Sequence, residues 1–550
     1  MKIINSKILW AFWCLILWSC SSIPTPDVSA YTLEIPKVEK SNDSTFLFKN
    51  NFLAKNKHGL YEFYNHGNAL QMGYNHGALA EPLMLRQESA FFSKVEEIVP
   101  SKSRQTLLSK ILKWYARKMA ENILPEYQAE IFGVSRYASD QYNFIADAYP
   151  RMLYLHAAHD IGHAMQDLML VGCSSLAVWD GHSEDGSLLI GRNFDFYVGD
   201  EFSKRKMVNF VKPEKGIPFM SVSWPGMIGV ASGMNSVGIS VTINAGKSKI
   251  PLSAKTPISL VTREILQYAT NIQEAIAIAK KRKVFVSESI LVGSAQDRKA
   301  VIIEVSPDNF GVYEPENLGK LVCTNHFQSS PYQTDRRNQK QIRVSHSEYR
   351  FEKINEEIAA QDKFNPKKIA ALLRDTSGVK NEVLGFGNEK AVNQLLAHHS
   401  VIFSPEKRLV WVSSDPYNLG EMVCYDLNKI FNEEHFSTTL ATDSLNISRD
   451  SFADSAQFKN YEKYRIADRE IDRAFSTGKS LDDKTIEDYI ALNPDLWIVH
   501  YKAGKYYFDK NDFVKARYHL ENSLQKVISS VPERKNVEKY LKKTKARLRP

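Results

Sequence analysis

The chain has 550 residues, 43% hydrophobic and 24% charged, with a formal net charge of +8. That composition excludes a disordered chain and supplies enough apolar sequence for two or three globular domains. Residues 533–550 carry eight of the Lys and Arg against Glu533 and Glu538, so the excess charge is local. A solvated final helix, or a basic tail near anionic lipid headgroups, fits this better than a nucleic-acid surface.

In chain order, residues 1–20 join a short positive head to the apolar run from Ile8 to Trp18, followed by Ser19 and Cys20. The run is too short to span a bilayer comfortably and reads as a secretory signal. Leu17-Trp18-Ser19-Cys20 resembles the bacterial lipobox. On that reading Cys20 becomes a diacylated N-terminus, Cys14 is discarded, and the mature chain is held on a membrane of the cell envelope, outside the cytoplasm. Trp18 is atypical in the motif and leaves plain cleavage or an uncleaved anchor open. Of five cysteines, Cys173, Cys323 and Cys424 then remain, too few for a disulfide framework.

Residues 21–45, with Pro24, Pro26 and Pro36, read as a tether. Residues 46–172 read as mostly helical. Ala69 to Ser93 shows helical spacing, with Pro82 expected to break or kink it and Gly73 and Gly77 to admit another backbone. Residues 104–170 continue the helical pattern, and His76 reads as a packing histidine. His159 and His163 share one helix face, the spacing of some metal sites. No Glu follows His159 and no third ligand lies near, so a packing or cleavage-region role is favoured and no metal is expected.

Val171-Gly172-Cys173-Ser174-Ser175 opens an alternating run to Trp179; Asp180-Gly181 and Asp185-Gly186 mark a turn, and a second apolar run ends in Gly191-Arg192-Asn193-Phe194-Asp195. This reads as a β-hairpin that returns Arg192 and Asp195 beside Cys173. A free thiol titrates near ~8.5 and a guanidinium favours the thiolate, so Arg192 can activate Cys173 while Asp195 orients both. Cleavage of the Gly172–Cys173 bond would place an α-amino group on the nucleophile's own residue, where it can act as the base. Gly172, lacking Cβ, suits the strained close approach that intramolecular attack needs.

Three further segments accompany this block: Gly67-Asn68-Ala69-Leu70-Gln71-Met72-Gly73-Tyr74-Asn75-His76-Gly77; Ser232-Gly233-Met234-Asn235-Ser236-Val237-Gly238-Ile239 with Thr242-Ile243-Asn244; and Cys323-Thr324-Asn325-His326-Phe327. Together they resemble the cysteine N-terminal-nucleophile (Ntn) hydrolases over roughly residues 45–430. The similarity is greatest to the acyl-coenzyme A:6-aminopenicillanic-acid acyltransferase family, with choloylglycine hydrolases and acid-ceramidase-like amidases more distant. The resemblance implies an α+β fold, a four-layer αββα sandwich, and processing at Gly172–Cys173 into two chains that stay associated. It implies Cys173, Arg192, Asp195, Asn244 and Asn325 as the catalytic set, the two asparagines holding the oxyanion. Relatives also carry an arginine after the second asparagine motif, for which Arg336 and Arg337 are candidates. No cofactor is implied.

Downstream, strands are expected at 219–224, 228–231, 238–243, 289–292, 300–305, 321–324, 401–403 and 409–412, with a helix pair over 256–282 broken near Asn271. The Ntn core then covers 173–435. A Ser/Thr/Asp-rich linker covers 436–456 and a helical extension 457–550. In the extension Ala503-Gly504, Tyr507, Ala516 and Leu520 resemble one tetratricopeptide repeat, which would pack on the core or on a protein partner. The expected function is cleavage of a small-molecule acyl amide or ester, the amide linear and non-peptide, or transfer of its acyl group, through a Cys173 thioester. The alternative is an interaction lipoprotein whose Ntn-like scaffold is inert and whose helical repeat binds a partner.

Overall fold

The computed structural model describes residues 23–158, 160, 172–247, 253–315, 319–432 and 439–549. Cys20, His159 and His163 lie outside the described residues. The chain opens with β1 (Glu39–Asn42), β2 (Thr45–Phe48), β3 (Asn51–Lys55) and β4 (Tyr61–Gly67), then α1 (Ala69–Ile98), α2 (Lys102–Ala116), α3 (Pro125–Ser135) and α4 (Ala148–His156). Next come β5 (Ser174–Val178), β6 (Leu189–Phe194), β7 (Met207–Pro213), β8 (Phe219–Ser223), β9 (Ser232–Asn235) and β10 (Ile239–Ala245), followed by α5 (Ile258–Tyr268) and α6 (Ile272–Lys281). After β11 (Glu288–Ser294), β12 (Lys299–Val305), β13 (Phe310–Tyr313) and β14 (Lys320–Cys323) lie α7 (Arg336–Val344), α8 (Ser347–Ala360) and α9 (Pro366–Leu373). β15 (His399–Ser404), β16 (Leu409–Ser413) and β17 (Met422–Asp426) complete the sheets. The helices α10 (Ala456–Thr477), α11 (Asp483–Leu492), α12 (Trp497–Asp509), α13 (Phe513–Gln525) and α14 (Val531–Arg547) follow.

Two sheets result. One runs β1-β2-β3-β4-β7-β8-β9-β10-β11-β12-β13, the other β14-β5-β6-β15-β16-β17. Their facing sides share a core in which Ala177, Ile190, Phe403 and Val412 of the smaller sheet meet Phe210, Met220, Leu291 and Ile302 of the larger. The larger sheet's outer side (Ile243, Val292, Ile303) packs on Ile265 and Leu266 of α5 and Ile272 and Ala275 of α6. The smaller sheet's outer side (Leu176, Ile402, Trp411) packs on Ile354 and Ile358 of α8 and Ile369 and Leu373 of α9. Each fully buried aliphatic side chain contributes roughly 1.5–3 kcal/mol, so these three cores fix the order helix, sheet, sheet, helix. The four-layer α+β sandwich expected from the resemblance is the fold observed.

Three expectations differ from the structure. Residues 46–67, read within a mostly helical segment, belong to strands, and β4 joins the larger sheet by parallel pairing with β7. Residues 228–231 are not a strand. The Ile228 N–H donates to His156 Nε2 and its carbonyl accepts from Arg263, while Val230 N–H donates to Ser259 O, so helices satisfy this backbone. Pro82 sits within an unbroken α1, on its exposed side. The opposite side is buried along most of the helix, and that packing outweighs the ~3 kcal/mol proline cost. Gly73 and Gly133 let α1 and α3 cross at backbone contact: a Cβ on Gly73 would lie 2.1 Å from Glu130 O.

The predicted helix pair is present as α5 and α6, with Asn271 capping α6 by accepting from Glu274 N–H. Residues 439–454 lie against the smaller sheet: Ile447 exchanges backbone hydrogen bonds with Met422, and Trp411 Nε1 donates to Leu445 O at 2.7 Å. Helices α10–α14 share an apolar core with Leu395 and Leu419 of the sandwich. Within it α12 and α13 form a hairpin in which Gly504 faces Leu520, whose Cγ would lie 2.6 Å from a Cβ at 504.

Candidate active site

The hairpin brings the predicted residues together. β5 pairs with β6 so that Ser174 lies opposite Asn193 and Ser175 opposite Arg192, and β15 flanks β6 on its other side. The period of two turns Ile190 and Arg192 toward the larger sheet and Gly191 and Asn193 toward the outer helices. The Arg192 guanidinium is buried: Nη1 donates to Ala231 O at 2.7 Å and to Ser232 Oγ, Nη2 to Ile243 O and, at 3.5 Å, to Cys173 Sγ. Its carbon stands 4.3 Å from the centre of the Phe194 ring, a cation–π contact.

Cys173, at the mouth of β5, is fully buried and unbridged, and Cys323 and Cys424 are free as well. Burial pushes the Cys173 thiol up, and Arg192, opposing that, does not overcome it. In the continuous chain the sulfur is therefore a thiol polarised by Arg192 rather than the thiolate expected from the sequence. Asp195 is buried too, and its main-chain carbonyl accepts from Gly172 N–H at 3.2 Å. Neither carboxyl oxygen has a hydrogen-bond partner among the described residues. Burial pushes this carboxyl up to about 7, with Arg350 and then Arg192 opposing.

Asn244, in β10, accepts from Ser175 Oγ at 2.9 Å and donates from Nδ2 to Cys323 O at 2.9 Å. Asn325 donates from Nδ2 to Ala245 O at 2.9 Å and accepts from Arg350 Nη2 at 2.7 Å. Both amides thus stitch β10 to β14 between the sheets, and each NH₂ keeps a second hydrogen. Arg336 and Arg337 are exposed at the start of α7, away from this cluster. The arginine that reaches it is Arg350 of α8, fully buried, whose Nη1 donates to Cys173 O at 2.6 Å and to Ser174 Oγ at 2.7 Å. One guanidinium therefore bridges Cys173 and Asn325.

Two further contacts carry no signal in the quoted motifs. Gly172 O accepts from Gln394 Nε2 at 2.8 Å. Ser232 Oγ, on Arg192, lies 2.8 Å from His399 Nε2, and His399 Nδ1 lies 2.8 Å from His398 Nδ1. Ser232 Oγ thus links the Arg192 guanidinium to the His399 ring, and His399 in turn pairs with His398. Burial holds His398 down to about 3 and His399 well below the usual histidine range, so the pair stays neutral and fixes Arg192 without adding charge.

His76 packs as expected, accepting from Gly226 N–H at 3.0 Å. Among the described residues no three His, Cys, Asp or Glu are grouped to hold a metal. Beside Asp195 the Phe196 ring stacks on Trp224, with Phe202 edge-on to Phe196 and tilted against Trp224. With Met84, Met152 and Met227 they line an apolar cleft.

Residues 182–417 match the family model described as acyl-coenzyme A:6-aminopenicillanic acid acyl-transferase. The chain is 27% identical over 287 residues to an uncharacterised protein of Archaeoglobus fulgidus, covering 48% of this chain and 46% of that one. It is 23% identical over 270 residues to protein dcd1B of Dictyostelium discoideum, covering 46% and 51%. The chain thus spans about half the length of the curated relatives it matches. Among solved structures it is similar to the Caenorhabditis elegans N-acylethanolamine-hydrolyzing acid amidase ortholog, at 19% identity over 42% of this chain and 93% of the other, TM-score 0.30. It is also similar to the conjugated bile acid hydrolase of Clostridium perfringens, at 13% identity over 48% and 98%, TM-score 0.31.

Proposed function

We propose that this chain, whose residues 182–417 match the acyl-coenzyme A:6-aminopenicillanic acid acyl-transferase family model, is a self-processing cysteine Ntn hydrolase acting on acyl amides or esters. The observation that carries the reading is the pair of buried arginines converging on one residue, Arg192 on Cys173 Sγ and Arg350 on Cys173 O. Processing at Gly172–Cys173 frees an α-amino group on Cys173. That amine takes the thiol proton as sulfur attacks the substrate carbonyl and returns it to the leaving amine or alcohol. Asp195, with no other hydrogen-bond partner among the described residues, is the acceptor for the new ammonium. The second N–H of Asn244 and of Asn325 meets the oxyanion, and water or an amine then takes the acyl group from the thioester.

The amino-terminal segment, through a lipid on Cys20, holds the enzyme on the outside of the cytoplasmic boundary. The test is to mix the purified protein with a panel of acyl amides and quench early. The fragment that begins at Cys173 should gain the mass of the acyl group, and Cys173→Ala should gain none. Equal turnover by Cys173→Ala would overturn the reading, and the ratio of amine-derived to water-derived product separates transferase from hydrolase.

A further inference from the structure

We infer that Gln394 is the oxyanion donor of the self-cleavage step and that the C-terminal helices hold it in place; the inference rests on reading Gly172–Cys173 as the processing bond. Gln394 is buried, and its amide N–H meets the carbonyl oxygen of the scissile peptide at 2.8 Å. Cys173 Sγ attacks that carbonyl carbon and a C–S bond forms. The charge gathers on Gly172 O, where Gln394 already donates. The C–N bond then breaks, the thiol proton ends on the Cys173 nitrogen, and water splits the resulting thioester into the Gly172 carboxylate and the Cys173 thiol. A neutral, buried thiol brings the proton this shift needs.

Two independent observations aim Gln394 at this task. Gly172 is not in the left-handed region; a Cβ at 172 would lie 2.4 Å from Gln394 Nε2 and 2.8 Å from Oε1, so a larger residue there would displace the Gln394 amide from the carbonyl. Next to Gln394, Leu395 holds φ at +52°, a conformation that costs a leucine and persists where its surroundings impose it. Asn393 Oδ1 accepts from Leu395 N–H at 3.0 Å, and Asn193 of β6 donates to Val392 O at 3.0 Å.

The remaining constraints come from the C-terminal helices. Tyr461 of α10 donates its hydroxyl to Leu395 O at 3.0 Å, Asn388 donates to Val527 O at 2.8 Å, and Asn493 donates to Phe386 O at 2.8 Å. The extension thus grips the loop at 386, 388 and 395, on both sides of the donor's position in sequence. Its role at this bond is that of a positioning element.

The experiment follows cleavage of the full-length protein over time by intact mass, with thermal unfolding as the folding control. Gln394→Met keeps the volume and removes the donor, and Gln394→Glu keeps the shape and replaces the donor by an acceptor. Each should slow cleavage by about 10²–10³-fold at a near-unchanged unfolding midpoint. Hydroxylamine, which traps thioesters, should not restore the rate, because the block precedes the thioester. Tyr461→Phe should slow cleavage by about fivefold, the worth of one hydrogen bond. If the wild-type chain is cut and both Gln394 variants are cut at the same rate, the Gln394 assignment is wrong while processing stands. A Tyr461→Phe chain cut at the wild-type rate, with slow Gln394 variants, removes the role of the extension alone. A wild-type chain that is never cut removes the processing reading itself.

Discussion

Cys173 has lost water on every side, and Arg192 at 3.5 Å offsets that loss without reversing it. The same burial acts on Asp195, whose carboxyl keeps its proton up to about 7 in the folded chain against an ordinary 3.8. A raised folded pKa gives stability that is full at low pH and lost as the pH rises through about 7. The uncut wild-type chain should therefore lose stability relative to Asp195→Asn between about pH 4 and about pH 7, by up to about 1.4 kcal/mol per pH unit, and run parallel to it above about pH 8. Denaturant melts of both, on a Cys173→Ala background so that neither is cut, check this; parallel pH profiles would contradict it. Arg350→Ala should lower turnover by about 10–100-fold, the range for a charge-assisted hydrogen bond, while Arg336→Ala and Arg337→Ala leave it unchanged. Steady-state rates on one acyl amide decide this.

At this scale Cys173, Arg192 and Asp195 were legible because one hairpin carries them, and Asn244 and Asn325 because their short motifs resemble those of the family. Arg350 was not, because it sits on a helix 25 residues after Asn325 and is selected by how α8 packs on β5 and β14. Gln394 and the His398–His399 pair were hidden for the same reason. Nothing in a short window marks a side chain whose partner lies 222 positions away, as Gly172 lies from Gln394.

At the scale of elements, alternating or apolar runs made β5, β6, β10, β12 and β16 legible, and Asn271 marked the break between α5 and α6. Residues 228–231 have the composition of a strand, yet Arg263, His156 and Ser259 occupy their backbone groups. Propensity yielded there to partners from other elements. Pro82 shows the converse, a local breaker overruled by a buried helix face. The α1–α3 crossing depends on Gly73, so Gly73→Ala must part the two backbones. It should destabilise the chain by about 1–3 kcal/mol or more and lower its unfolding midpoint. An unchanged midpoint would show that this crossing adapts without cost.

For the whole molecule, the two sheets form one shared core and place β6, with Arg192, against β9 and β10, where Ser232, Ile243 and Ala231 just before β9 supply the groups around its guanidinium. The order of layers came from family resemblance, since periodicity alone gives only mixed α and β. The early strands at 39–67 and the docking of the extension on Leu395 and Leu419 emerged only with tertiary packing. Among the described residues no helix is long and apolar enough to cross a membrane.

The central claim is that Cys173 becomes an N-terminal nucleophile. Intact mass and N-terminal sequencing of the full-length protein, purified after export beside its Cys173→Ala variant, test it most directly. The account predicts a chain beginning Cys-Ser-Ser-Leu that co-purifies with a second chain ending at Gly172, whose mass includes a diacylglyceryl group on Cys20, and no cut in the variant. A wild-type chain that stays whole yet turns over acyl amides, or a Cys173→Ala chain cut at the same bond, would contradict it.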